Sequence, residues 1–237
     1  MKTRWHSSVL KGQIMRKSFL TRWLFLAILA LLISACNSDT KKTSGEAPAG
    51  SEEAQQPLSL KTDYSIVPGE RVGGITATST EADIKALYGE EQVEYRSVYI
   101  GEGESQPGIA VFPNTPNELE IVWDIAAATG NPEFIRISHD SADWHTVQGV
   151  AVGTTLENLQ QINGRPFQLY GFGWDYGGLV NDWKGGKLNG HLIIALEPEV
   201  WEKVGAEVSG DRSFSSDDPQ IMALGARVAS MVITFRR

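Results

Sequence analysis

The chain has 237 residues, of which 41% are hydrophobic and 9% aromatic, enough to build a globular core and too apolar for a disordered chain. Its net charge of −8 is unevenly spread: all six basic residues before Cys36 (Lys2, Arg4, Lys11, Arg16, Lys17, Arg22) are unaccompanied by any acid. Taking those six from 21 leaves 15 basic against 29 acidic residues, a net charge of −14 that repels nucleic acid and anionic headgroups. No basic patch or nucleic-acid motif opposes that field. The one cysteine, Cys36, excludes an intramolecular disulfide, so a folded exported domain must rest on its core.

The first 36 residues read as an export signal. A basic start is followed by an apolar run, Trp23–Ile33, and then by Ser34, Ala35 and Cys36. The run suits a signal h-region and is too short to span a bilayer, which needs about 20 residues. Ile33-Ser34-Ala35-Cys36 resembles the lipobox of bacterial lipoproteins. That resemblance implies cleavage before Cys36, a diacylglyceryl thioether and an N-acyl chain (palmitate or similar). Several fatty chains anchor stably, since each buried methylene contributes about 0.8 kcal/mol. Met15-Arg16-Lys17 offers an alternative start that gives a signal of more usual length. Asn37 follows the cysteine where an Asp would resemble an inner-membrane retention signal. The expected location is therefore the outer membrane, facing the periplasm; a Gram-positive source would place it on the plasma membrane's outer face.

Residues 36–62 are expected to be a disordered tether. They hold almost no large apolar residue before Leu58 and cannot offset the entropy of ordering.

A first unit is expected over 63–143. Ile66 to Ile75 reads as a turn and short strand. Ser79 or Thr80 can cap a helix carrying Glu81 and Asp83 in its first turn, and Ile84, Leu87 and Tyr88 on one face. Gly89 is placed as its left-handed stop. Strands are expected around Val93–Ile100, Gly108–Phe112, Leu119–Trp123 and Phe134–Ile137, with Asn114–Asn117 as a turn. Gly101–Gly108 is acidic and glycine-rich; it reads as a solvated hairpin loop or as a cation site, although no calcium-loop spacing is present.

A second unit is expected over 144–237. Gly149, Thr155, Leu159 and Gly164 repeat Gly74, Thr80, Ile84 and Gly89 at a constant offset of 75. Thr154 and Glu157 have capping-box spacing. Strands follow at Pro166–Tyr170, Gly177–Trp183, His191–Leu196 and Val228–Phe235, with one helical turn after Asp218. The expected class is α+β, two tandem strand–helix–strands units, each a short helix packed on an antiparallel sheet.

The segment from Gly153-Thr154-Thr155-Leu156 to Gly164 resembles the repeat of the β-lactamase inhibitor protein family and that of the SmpA/OmlA outer-membrane assembly lipoproteins. The first resemblance implies a concave sheet that grips a protein partner. Trp144-His145-Thr146, Gly164-Arg165-Pro166-Phe167 and Gly171-Phe172-Gly173-Trp174-Asp175-Tyr176-Gly177-Gly178 resemble a family of uncharacterised bacterial exported lipoproteins, which implies no activity.

Two constellations remain. His139-Asp140 and Asp143-Trp144-His145 gather imidazoles and carboxylates, yet lack the third ligand and spacing of a zinc site. They read as a turn and a strand start with Trp144 partly buried. Gly171–Gly178 interleaves glycines with Phe172, Trp174 and Tyr176 around Asp175. It reads either as a recognition surface for a sugar ring or peptide side chain, or as a twisted hairpin whose aromatics cover the helix and whose Asp175 bonds nearby amides. No nucleophile elbow, phosphate loop or catalytic cysteine occurs. The sequence thus assigns no catalytic residue, no metal and no cofactor. It points to a non-catalytic binding or envelope-assembly module, anchored at Cys36, with an envelope protein as partner. The rival readings are a metal-dependent or hydrolytic enzyme using His139, Asp140, His145 and Asp175, and a structural spacer.

Overall fold

The computed structural model describes residues 62–124, 130–188 and 190–235, all within one compact unit, Pro57–Arg237. The expected signal peptide, Cys36 and the tether up to residue 61 lie outside the described residues.

In chain order the elements are β1 (Ser65–Val67), β2 (Arg71–Val72), β3 (Ile75–Thr76), α1 (Glu81–Tyr88), β4 (Val93–Gly101), β5 (Glu104–Val111), β6 (Leu119–Trp123), β7 (Pro132–Ile137), β8 (His145–Thr146) and α2 (Leu156–Asn163). Then come β9 (Gln168–Tyr170), β10 (Val180–Asp182), β11 (Leu192–Glu197), β12 (Ser213–Ser215), α3 (Pro219–Met222) and β13 (Arg227–Thr234). They form a six-stranded sheet β11-β13-β7-β6-β5-β4, a four-stranded sheet β3-β2-β1-β8 and a three-stranded sheet β10-β9-β12.

This overturns the expected α+β class of two tandem units. Strands hold 39% of the described residues and helices 17%, so the protein is mostly β. The large sheet draws strands from both halves of the chain: β13 lies between β7 and β11, with Ile233 opposite Ile135 on one side and Leu192 on the other. The small sheet is also shared, since β1 pairs in parallel with β8, Ser65 opposite His145. The physical reason is that helix caps are written within a few residues, whereas a strand's partner is chosen by long-range register.

The two helices themselves fall in the same register, Gly164 lying 75 residues after Gly89. Thr80 caps α1 through a reciprocal box: its amide donates to Asp83 Oδ2 at 2.8 Å, and the Asp83 amide donates to Thr80 Oγ1 at 3.2 Å. In α2 the cap is Thr155, whose Oγ1 accepts from the Asn158 amide at 3.3 Å. The expected Thr154–Glu157 box does not form, because Thr154 Oγ1 instead accepts from the Ala151 amide at 3.0 Å. Gly164 takes the left-handed conformation, while Gly89, at φ 98° and ψ 141°, turns the chain into extended backbone. The flanking strands are not equivalent: β3 ends at Thr76, four residues before α1, whereas β8 ends at Thr146, nine residues before α2.

Alternation along the strands sorts the large sheet into two faces. One cross-strand row runs Leu192, Ile233, Ile135, Ile121, Ile109 and Tyr95. Its first five members are buried in a core completed by Ile84 of α1, Leu156 and Leu159 of α2, and Ile66, Val72 and Trp144 from the small sheet's neighbourhood. Each such isoleucine contributes about 2 kcal/mol by leaving water. The opposite row runs Ile193, Val232, Arg136, Glu120, Ala110 and Glu94, with Arg136 Nε donating to Glu120 Oε2 at 2.8 Å.

Tyr95, at the sheet's end, leaves the core and donates to Glu81 Oε1, which also pairs with Lys85 at 2.6 Å. The Lys85 hydrogen bond, then the Tyr95 hydroxyl, hold the Glu81 carboxyl below its ordinary value of 4.5. A lowered value means a contribution present above pH 4.5 and lost as pH falls through the folded-state value. Glu81→Gln is therefore expected to lower the melting temperature at pH 7 and to lower it progressively less as pH falls below 4.5. Calorimetry across that range checks this; a constant gap between the two curves refutes it.

Candidate functional site

The Gly171–Gly178 stretch leaves β9 and turns twice before reaching β10. The Gly177 amide donates to Trp174 O at 2.9 Å, and the Leu179 amide to Tyr176 O at 3.1 Å. The turns are pinned on two sides. The Phe172 amide donates to Val208 O at 2.9 Å, and the Leu196 amide donates to Gly178 O at 2.9 Å, which attaches the segment to the edge of β11. Adjacent glycines allow this close approach, and Gly178 has a φ of 74°.

The four expected binding residues differ in exposure. Phe172 is fully buried and packs edge-on to Trp201, with ring centres 6.4 Å apart, so it belongs to the scaffold. Trp174 and Tyr176 stand 37% and 40% exposed. Their rings are 5.3 Å apart and nearly perpendicular, at 71°, with Tyr170 closing the back of Trp174 at 5.5 Å. Asp175 lies exposed between them in sequence, and no described amide donates to it. Trp174 rests on Tyr170 of β9, and Tyr176 rests on Trp174.

The polar ends of both exposed rings are already satisfied. Trp174 Nε1 donates to Gly171 O at 2.9 Å, and Tyr176 Oη donates to Glu102 Oε1 at 2.7 Å. Glu102 comes from the tip of the β4–β5 hairpin. There Glu102 and Gly103, both with positive φ, form a two-residue turn between Gly101 and Glu104. The acidic loop expected over 101–108 is thus mostly strand, and only these two residues turn. Tyr99, 51% exposed, accepts from the Gly103 amide at 3.2 Å. The hydrogen bond to Glu102, its charge, burial, and then Asp175 and Tyr99 all push the Tyr176 hydroxyl above its ordinary value of 10.0. The surface is an aromatic corner in a negative field.

The histidines lie elsewhere. His139 pairs with Asp140 at 3.3 Å and lines a cleft of about 440 Å³ together with Arg136, Glu118 and Glu120. His145 bonds the Asp143 carbonyl at 2.8 Å and lines a different cleft of about 580 Å³ with Asp63. Asp175 lines neither. Among the described residues no three His, Cys, Asp or Glu side chains gather closely enough to share a metal ion. Trp144, expected to be partly buried, is fully buried.

Sequence reading missed Glu102 and Tyr99 as members of this surface. Glu102 lies 74 residues before Tyr176, and no periodicity links them. The available signal was the Glu-Gly pair at the centre of an acidic hairpin, which marks a turn but not what the turn touches. A scan against protein-family models found no match to this chain, and searches of curated proteins and of solved structures found no similar protein.

Proposed function

We propose that this chain is a lipid-anchored, non-catalytic binding module of a bacterial cell envelope, held at the outer membrane through acylated Cys36 and facing the periplasm. The observation that carries the binding role is the outward-facing pair Trp174 and Tyr176. Both stand more than a third exposed while their polar ends are bonded within the chain. Large aromatics held in this way lose little entropy on contact and are favoured anchors of protein interfaces. Support for the anchor is in the sequence: the basic start, the short apolar run and Ile33-Ser34-Ala35-Cys36. The resemblance to envelope-assembly lipoproteins agrees with a protein partner.

One experiment tests both parts. The full chain is expressed with its leader as the parent, Cys36→Ser and Trp174→Ala, and the envelope is fractionated and then solubilised in neutral detergent. Cys36→Ser is expected to leave the membrane fraction. Trp174→Ala is expected to stay there, folded by circular dichroism, and to lose at least about 1 kcal/mol of partner affinity. Membrane retention of Cys36→Ser would refute the anchor. Capture that ignores Trp174 would refute this binding surface, and capture of nothing by the parent would favour the spacer.

A further inference from the structure

The chemistry of the aromatic corner narrows the class of partner, and this step rests on the binding-module reading above. Trp174 and Tyr176 meet edge to face at 71°, and each leaves more than a third of its surface exposed. Aromatic faces carry negative potential and attract cations; neutral apolar groups gain only burial. The neighbouring charges have the same sign. Glu102 is bonded through Oε1 alone, by Tyr176, and no described residue donates to its Oε2. Asp175 has no ion pair among the described residues. Arg136, which reaches this hairpin, is committed to Glu120 and to the carbonyl of Tyr99. Arg212 is committed to the carbonyls of Ala206 and Glu207. The corner therefore offers aromatic rings and uncompensated carboxylate oxygens, with no free side-chain donor among the described residues. A neutral sugar brings no positive charge to offset the carboxylates. A quaternary ammonium has no N–H to give to the free carboxylate oxygens. A lysine or arginine side chain supplies positive charge for the rings and N–H donors for Glu102 and Asp175.

We propose that the corner formed by Trp174, Tyr176, Glu102 and Asp175 receives a lysine or arginine side chain from a basic segment of a protein partner. The net charge of −14 beyond residue 35 would draw such a segment in and make capture salt-dependent.

The test uses the full chain in neutral detergent and four probes: a lysine- and arginine-containing octapeptide, the same peptide with norleucine and citrulline in those places, phosphocholine and a neutral disaccharide. Saturation-transfer NMR and titration give the affinities. The basic peptide is expected to bind at least roughly fivefold more tightly than its neutral counterpart, with affinity falling as salt rises. Asp175→Asn and Glu102→Gln are each expected to weaken it roughly threefold, and Trp174→Ala roughly fivefold. Asp175 is exposed and unpaired, so Asp175→Asn keeps the parent's melting temperature and reads the site without a folding effect. Equal binding of the neutral peptide, binding of phosphocholine or the disaccharide in place of the basic peptide, or an unchanged affinity in Asp175→Asn overturns the proposal. If the basic peptide fails while Trp174→Ala still loses its envelope partner, this inference falls and the binding module stands.

Discussion

Truncating Trp144 to alanine is expected to destabilise the protein by roughly 4 kcal/mol, the largest effect of any single substitution considered. Trp144 is fully buried, at the seam where β8 meets β1. Its ring stands edge-on to Tyr64, with centres 4.9 Å apart at 78°. Its Nε1 donates to the Asn117 carbonyl at 3.0 Å, tying the strand to the β5–β6 turn. Alanine would leave a large cavity and an unpaired carbonyl, costs that add. Trp144→Phe retains most of the volume and loses only the hydrogen bond and part of the packing, so roughly 2 kcal/mol is expected. Urea unfolding followed by far-ultraviolet circular dichroism separates the two. A loss below about 1 kcal/mol for Trp144→Ala would mean the seam closes without the indole.

Gly178→Ala is expected to cost roughly 3 kcal/mol, from two independent sources. Its φ of 74° lies where side chains are disfavoured, and an added Cβ would sit 2.0 Å from the Leu196 carbonyl oxygen and 2.9 Å from the Phe172 ring. The carbonyl is backbone of β11 and cannot move without breaking the sheet edge. Gly149 supplies the control: its φ is 90°, yet an added Cβ meets nothing within 4 Å. Gly149→Ala should thus cost only the conformational part, about 1 kcal/mol. Thermal melts of both variants measure the difference. Equal losses would show that the turn at Gly178 yields, and the fixed attachment of the aromatic corner to β11 would be wrong. The same displacement should weaken ligand capture, because Trp174 and Tyr176 depend on that attachment.

Local chemistry in the sequence was enough to place most elements. Leu119–Trp123 reads as a strand because its β-branched and aromatic residues alternate, and it is one. Thr80 and Asp218 mark helix starts because their oxygens accept amides within the first turn. Within the aromatic segment, the glycines announced a tight turn.

Tertiary structure decided what these pieces join. Two matching helices suggested two units, but β13 inserts beside β7 and merges both halves into one mostly-β body. Nothing local in Arg227–Thr234 distinguishes pairing with β7 from closing a second sheet, since register is a sum over many distant contacts. The site was divided in the same way. Phe172 and Trp174 are both aromatic, two apart, and alike in sequence; only the seat against Trp201 buries one, and only the turn exposes the other. Glu102 joins Tyr176 because the folded hairpin carries its tip there. The sequence by itself determined the charge and most of the elements, because each depends on neighbours along the chain. The six-stranded sheet shared by both halves and the negative aromatic corner were decided by the fold, because each depends on residues that meet only after the strands have paired.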